Sequence, residues 1–80
     1  MSRSDKLIIR LLSYPKDFTY DELKTLLLSF GYKEKQGEGS RVCFVKESHK
    51  IKLHKPHPDN KLKHYQLDSI IEVLTSKGII

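Results

Sequence analysis

One cysteine, Cys43, is all the thiol chemistry this 80-residue chain holds. An intramolecular disulfide is therefore excluded, and a cysteine-built zinc site has too few ligands. No apolar run approaches the roughly 20 residues of a membrane-spanning helix. The opening "MSRSDKLIIRLLSYP" carries an acid and lacks a small-residue cleavage site, so it does not read as a secretory signal. A cytoplasmic protein with no membrane partner is expected. Internal repeats, low-complexity tracts and linkers are also missing, and a chain this short has interior enough for one core. The expectation is a single domain over residues 1–80, held by packing alone.

What the chain has in excess is positive charge. Fifteen Lys and Arg face ten Asp and Glu, a formal +5, which favours a polyanionic or acidic partner. Apolar residues at 38% and charged residues at 31% describe an ordinary soluble globule.

Hydrophobic spacing orders the elements. Leu7, Ile8, Leu11 and Leu12 recur on one helical face from Ser4 to about Ser13, with Ser4 as N-cap, and Pro15 blocks continuation. In "FTYDEL", Thr19 and Glu22 form a capping box while Phe18 and Leu23 form a hydrophobic staple. Leu23, Leu26, Leu27 and Phe30 make the buried stripe of that second helix, and Gly31 ends it. The period then drops to 2. Tyr32 to Gln36, Arg41 to Lys46 and Lys50 to His54 read as three strands of an antiparallel meander. Pro56 and Pro58 make "HKPHPDN" an ordered loop, and a last helix runs from about Lys63 to Ser76, with Gly78 as its stop. The order is α-α-β-β-β-α, an α+β arrangement in which helices pack on a three-stranded sheet.

Alternation places Val42 and Phe44 on one sheet face and Arg41, Cys43 and Val45 on the other. On the third strand Ile51 and Leu53 oppose Lys50, Lys52 and His54. Lys55, Lys61 and Lys63 follow, so the basic residues gather as a phosphate-binding surface would. The glycines of "GEGS" lack the Gly-Lys-Ser/Thr signature and a following helix, and a β-turn accounts for them. Cys43 reads as strand packing and Ser40 as turn hydrogen bonding.

All four histidines lie between His49 and His64. His54 and His57 have a His-x-x-His spacing, but only Asp59 is near, too few ligands for a metal site. Nothing calls for a cofactor. Two uses stay open: plain hydrogen bonding in a proline-rich loop, or proton transfer, since imidazole titrates near neutrality and RNA carries its own nucleophile, the 2′-hydroxyl. A base beside a cation that stabilises the charged phosphorane suffices for metal-free cleavage.

Four landmarks then line up: the leucine-rich helix ending in "FGY" at Phe30 to Tyr32; Gly39 and Ser40, eight residues after Gly31; His57 and Pro58; and Leu62 and Lys63 before a helix with Leu67, Ile70 and Ile71. Together they resemble the HicA toxins of type II toxin–antitoxin modules. The resemblance implies a double-stranded-RNA-binding-domain-like fold, RNA binding, cleavage of mRNA, and inhibition by a HicB-type antitoxin. It covers residues 18–78 as the core, with residues 1–15 as an additional N-terminal helix. The family's usual catalytic histidine follows Gly-Ser at the start of the second strand, where this chain has Arg41. Arginine stays protonated and cannot be the base, although it can grip phosphate. His54 and His57 are then the candidate bases, with Arg41, Lys50, Lys52, Lys55, Lys61 and Lys63 as RNA-binding residues. A non-catalytic RNA-binding module, or a basic domain that docks an acidic protein, are the alternatives.

Overall fold

Glu22 is where two helices are joined. In the computed structural model, which describes residues 3–47, 49–56 and 59–80, the Thr19 hydroxyl accepts from the Glu22 N–H at 3.1 Å and the Glu22 carboxylate accepts from the Thr19 N–H at 3.1 Å. This is the capping box the sequence predicts, and it starts α2 (Tyr20–Ser29). The other Glu22 oxygen accepts from Arg10 Nε at 2.7 Å, and Arg10 also reaches Asp17 at 2.9 Å. Arg10 lies in α1 (Arg3–Leu12), so one carboxylate caps one helix and ties down the other. Burial alone would raise the Glu22 carboxyl, but the Arg10 and Thr19 hydrogen bonds outweigh it and hold the group below the ordinary carboxylate value.

α1 begins at Arg3, so Ser4 lies inside the helix rather than capping it. Leu7 and Leu11 are buried, while Leu12 stays exposed. Beyond the helix, Tyr14 takes a left-handed φ of 53°, which costs a residue with a Cβ. Its hydroxyl donates to Asp68 at 2.8 Å and its ring stacks on His64 at 4.6 Å, contacts that fasten the end of α1 to α3 (His64–Ser76). α2 ends as the sequence predicts. Gly31 adopts φ 96°, the Tyr32 N–H donates to Leu27 O at 3.1 Å and the Gly31 N–H to Leu28 O at 3.1 Å, a Schellman motif. Gly78 repeats the arrangement behind α3.

The sheet is β1 (Lys33–Gln36), β2 (Arg41–Lys46) and β3 (His49–His54), antiparallel in the order β1-β2-β3. The element order α-α-β-β-β-α is the expected one, an α+β fold. Val42, Phe44 and Ile51 face inward onto Leu23, Leu26, Leu27, Leu67, Ile70 and Leu74. All three helices contribute to that one core, and the opposite face of the sheet carries none of it.

Candidate nucleic-acid interface

Register decides which side chains share the uncovered face. Lys46 pairs with His49, so two residues lie between the strands, and the pairs above them become Val45–Lys50, Cys43–Lys52 and Arg41–His54. On the other side Lys33 pairs with Val45 and Lys35 with Cys43. Cross-strand partners point to the same face. Lys33, Lys35, Arg41, Lys50, Lys52 and His54 therefore share one surface, with the half-buried Cys43 and Val45 between them.

Among the described residues the strands place no carboxylate on that face, and Glu47 of the turn meets it only at its edge, in a hollow with Lys33, Lys35 and Val45. The one acid of β1, Glu34, turns inward, accepts from the Tyr20 hydroxyl and meets Lys24 at 3.4 Å. Burial would raise the Glu34 carboxyl, yet the Tyr20 hydrogen bond and Lys24 leave it lowered, an anion held on the helix side. Burial and the Glu34 contact push the Tyr20 phenol up. The strand acid is thus paired on the helix side, while the strand cations other than Lys46 lie on the outer face.

Arg41 and His54 are direct neighbours. The Lys55 N–H donates to Ser40 O at 2.8 Å, which makes Arg41–His54 a pair without mutual backbone hydrogen bonds. In such a pair the Cα atoms stand about 4.5 Å apart and the side chains approach closely. Gly37 flanks Arg41 on the other side, its N–H donating to Arg41 O at 2.9 Å. A Cβ at residue 37 would come within 3.2 Å of the Arg41 Cβ. Glycine lets the start of the turn pass this close to the Arg41 backbone. That hollow is lined by Lys35, Gly37, Arg41, Cys43, Lys52 and His54 among others, and it contains no acid. The "GEGS" loop is a turn, as its residues suggest: the Arg41 N–H donates to Glu38 O at 3.2 Å and Gly39 has φ 61°.

His54 is exposed at its ring but anchored at its backbone. Gln66 of α3 donates to His54 O at 3.1 Å and accepts from the Lys63 N–H at 3.0 Å, joining the end of β3 to the start of α3. His49, at the other end of β3, faces inward and shares a 2.6 Å hydrogen bond with the Tyr32 hydroxyl.

The sequence-predicted set divides on the structure. Arg41, Lys50, Lys52 and His54 meet on the sheet face. Lys55 does not join them: its ammonium lies 5.5 Å from the centre of the Tyr20 ring. Lys61 and Lys63 line a different hollow with Lys16, Asp59 and His64, one that shares no residue with the sheet hollow. His57 and Pro58 lie outside the described residues. Lys33 and Lys35 join the face beyond the sequence-predicted set, and their spacing of two is the signal that places them on one strand face. Among the described residues, no group of three or more His, Cys, Asp or Glu is placed to hold a metal, and no helix is long and apolar enough to cross a membrane.

The sequence profile of a family described as the HicA toxin of bacterial toxin–antitoxin matches residues 20–75, which spans α2, the whole sheet and nearly all of α3. No curated protein and no solved structure matches the chain significantly.

Proposed function

Since the chain belongs to the HicA toxin family of bacterial toxin–antitoxin, we propose that it is a metal-free endoribonuclease that cuts mRNA on the open sheet face. The observation that carries this is the Arg41–His54 pair. The family resemblance expects a histidine where Arg41 stands, and an imidazole occupies the adjoining position across the ladder. A base displaced by one strand still faces the same hollow.

In the proposed reaction, His54 takes the proton of a ribose 2′-hydroxyl as that oxygen bonds to the neighbouring phosphorus. Arg41, always protonated, stabilises the charge that builds on the phosphorane, with Lys35 and Lys52 beside it. The P–O5′ bond breaks and the departing oxygen takes a proton from solvent. The products carry a 2′,3′-cyclic phosphate and a 5′-hydroxyl. Lys33 and Lys50 hold adjacent phosphates. Lys55, Lys61 and Lys63 extend the electrostatic field without touching the cut site. His57 is the other candidate base, and its replacement is the control for His54.

The family name also implies a cognate antitoxin. We place a HicB-type antitoxin against this face, in the cytoplasm, where an acidic surface would cover the lysines. Incubation of the pure protein with single-stranded RNA in EDTA tests the enzyme directly. Cleavage with cyclic-phosphate ends, absent when every 2′-hydroxyl is methylated, is the expected result. Intact RNA despite tight, salt-sensitive binding would leave a non-catalytic RNA-binding module, a reading that the arginine at residue 41 favours. Intact RNA with no binding, together with a stable complex with an acidic protein, would leave the docking domain.

A further inference from the structure

On the far side of β3 from the Arg41 hollow lies a second groove, formed where α3 runs beside the strand. Its volume is about 260 Å³, and it is lined by Ile51, Leu53, Tyr65, Ser69, Ile70 and Val73, with Lys50, Lys52 and His54 along the strand. Lys52, Leu53 and His54 line both hollows, so the end of β3 is the wall between them. Tyr65, Ser69 and Val73 recur every four residues along α3 and form the opposite side. Gln66 bridges helix and strand through its two hydrogen bonds and sets the width at the His54 end.

Tyr65 is the feature that ordinary packing leaves unexplained. It is 65% exposed, the most exposed of the large apolar and aromatic side chains among the described residues. Its ring stacks on no other ring there and its hydroxyl has no partner there, unlike Tyr14, Tyr20 and Tyr32, whose hydroxyls are all hydrogen-bonded. Ser69 likewise offers a free hydroxyl among the described residues. No acid lines the groove, and its charged rim is entirely basic.

An apolar slot with one free aromatic face, two free hydroxyls and a cationic rim matches a nucleotide, whose base is planar and whose backbone is anionic. We infer that the groove is a subsite for an unpaired nucleobase, stacked on Tyr65, of a single-stranded RNA whose phosphates lie on Lys50, Lys52 and the Arg41 hollow. This rests on the RNA reading above and deepens it. The base enters the groove while its phosphate stays on the far side of the His54 wall, so the subsite would seat the nucleotide next to the bond that His54 addresses. A duplex keeps its bases stacked on one another and cannot fill the slot, which makes the site selective for single strands.

Fluorescence anisotropy with two labelled oligomers of equal length tests this. One is 2′-O-methyl RNA, which lacks the nucleophile and stays intact; the other is the same backbone without bases. Stacking on one aromatic residue accounts for about 5- to 150-fold in affinity. The protein should prefer the base-bearing oligomer by that order, Tyr65→Ala should erase the preference, and Tyr65→Phe should keep it. Equal, equally salt-sensitive binding of both oligomers would overturn the base subsite and leave the phosphate-binding face standing. A preference that survives Tyr65→Ala would overturn its assignment to this groove. Binding of neither oligomer would overturn the subsite and the RNA reading together.

Discussion

His49 and His54 stand at the two ends of β3, and their offset of five positions, an odd number, turns them to opposite faces of the sheet. The inner one is used up by structure: Tyr32 shares a 2.6 Å hydrogen bond with its Nε2, and the two rings meet edge to face with centroids 5.3 Å apart. Burial raises the Tyr32 phenol and so keeps it protonated. Among the described residues, the outer histidine has no side-chain partner and stands beside Arg41, with its backbone carbonyl held by Gln66. Lysines follow the same division. Lys46, inside, donates to Phe30 O at 2.7 Å, and Lys24 pairs with Glu34, whereas Lys33, Lys35, Lys50 and Lys52 project outward. Residue type alone therefore says little about role in this chain. The face a residue occupies separates a structural hydrogen bond from a group free to do chemistry.

That contrast can be broken by substitution. Phe44, fully buried on the inner face, and Cys43, its neighbour on the outer face, differ by one position on one strand. Phe44→Ala should cost about 3–5 kcal/mol, enough to unfold much of so small a domain, whereas Cys43→Ala should cost within about 1 kcal/mol. Urea denaturation of the pair reads both, and equal losses would show that the outer face is packed against something.

The outer cations make the next prediction. Replacing Lys50 and Lys52 together by Ala removes two phosphate contacts, so the slope of log affinity against log salt for single-stranded RNA should fall by about 1.4. Lys61→Ala with Lys63→Ala, in the separate hollow, should change that slope less. A reversed ranking would move the interface to the α3 end of the molecule.

Smaller effects probe the junction that positions the inner layer. Thr19→Ala should destabilise the fold by about 1 kcal/mol through loss of the cap. Because the folded Glu22 carboxyl lies below its unfolded value, its contribution is complete above the unfolded carboxylate value of about 4.3 and is lost as pH falls through the folded value. The thermal midpoint should drop as pH falls below about 4, and Glu22→Gln should make that drop shallower. An unchanged acid limb in Glu22→Gln would show that other carboxylates control it.

Much of this layout can be read from local pattern. The capping box at Thr19 and Glu22, the helix stops at Gly31 and Gly78, and the inward pair Val42 and Phe44 are each written in a few adjacent residues, and each stands where its pattern puts it. The Arg41–His54 neighbourhood is not local. It depends on the number of residues in the turn: strands ending at Lys46 and resuming at Lys50 hide it, whereas the pairing of Lys46 with His49 leaves two residues between the strands. Lys33 and Lys35 are hard to read from pattern because β1 lacks the apolar alternation that marks a strand, although a polar strand still alternates. Lys55 was grouped with the strand cations by proximity in sequence, but the ring of Tyr20, which no sequence neighbour supplies, draws its ammonium to the helix side.

The central claim is that the free histidine of β3, and not the bonded one, handles the proton. The most direct measurement is the cleavage rate of single-stranded RNA by His54→Ala, His49→Ala and His57→Ala, with binding and folding checked for each. His54→Ala should lose about 10²–10⁴-fold in rate while still binding RNA, and folded His49→Ala and His57→Ala should stay within a few-fold of the parent. A His54→Ala protein that cuts at the parental rate would contradict it.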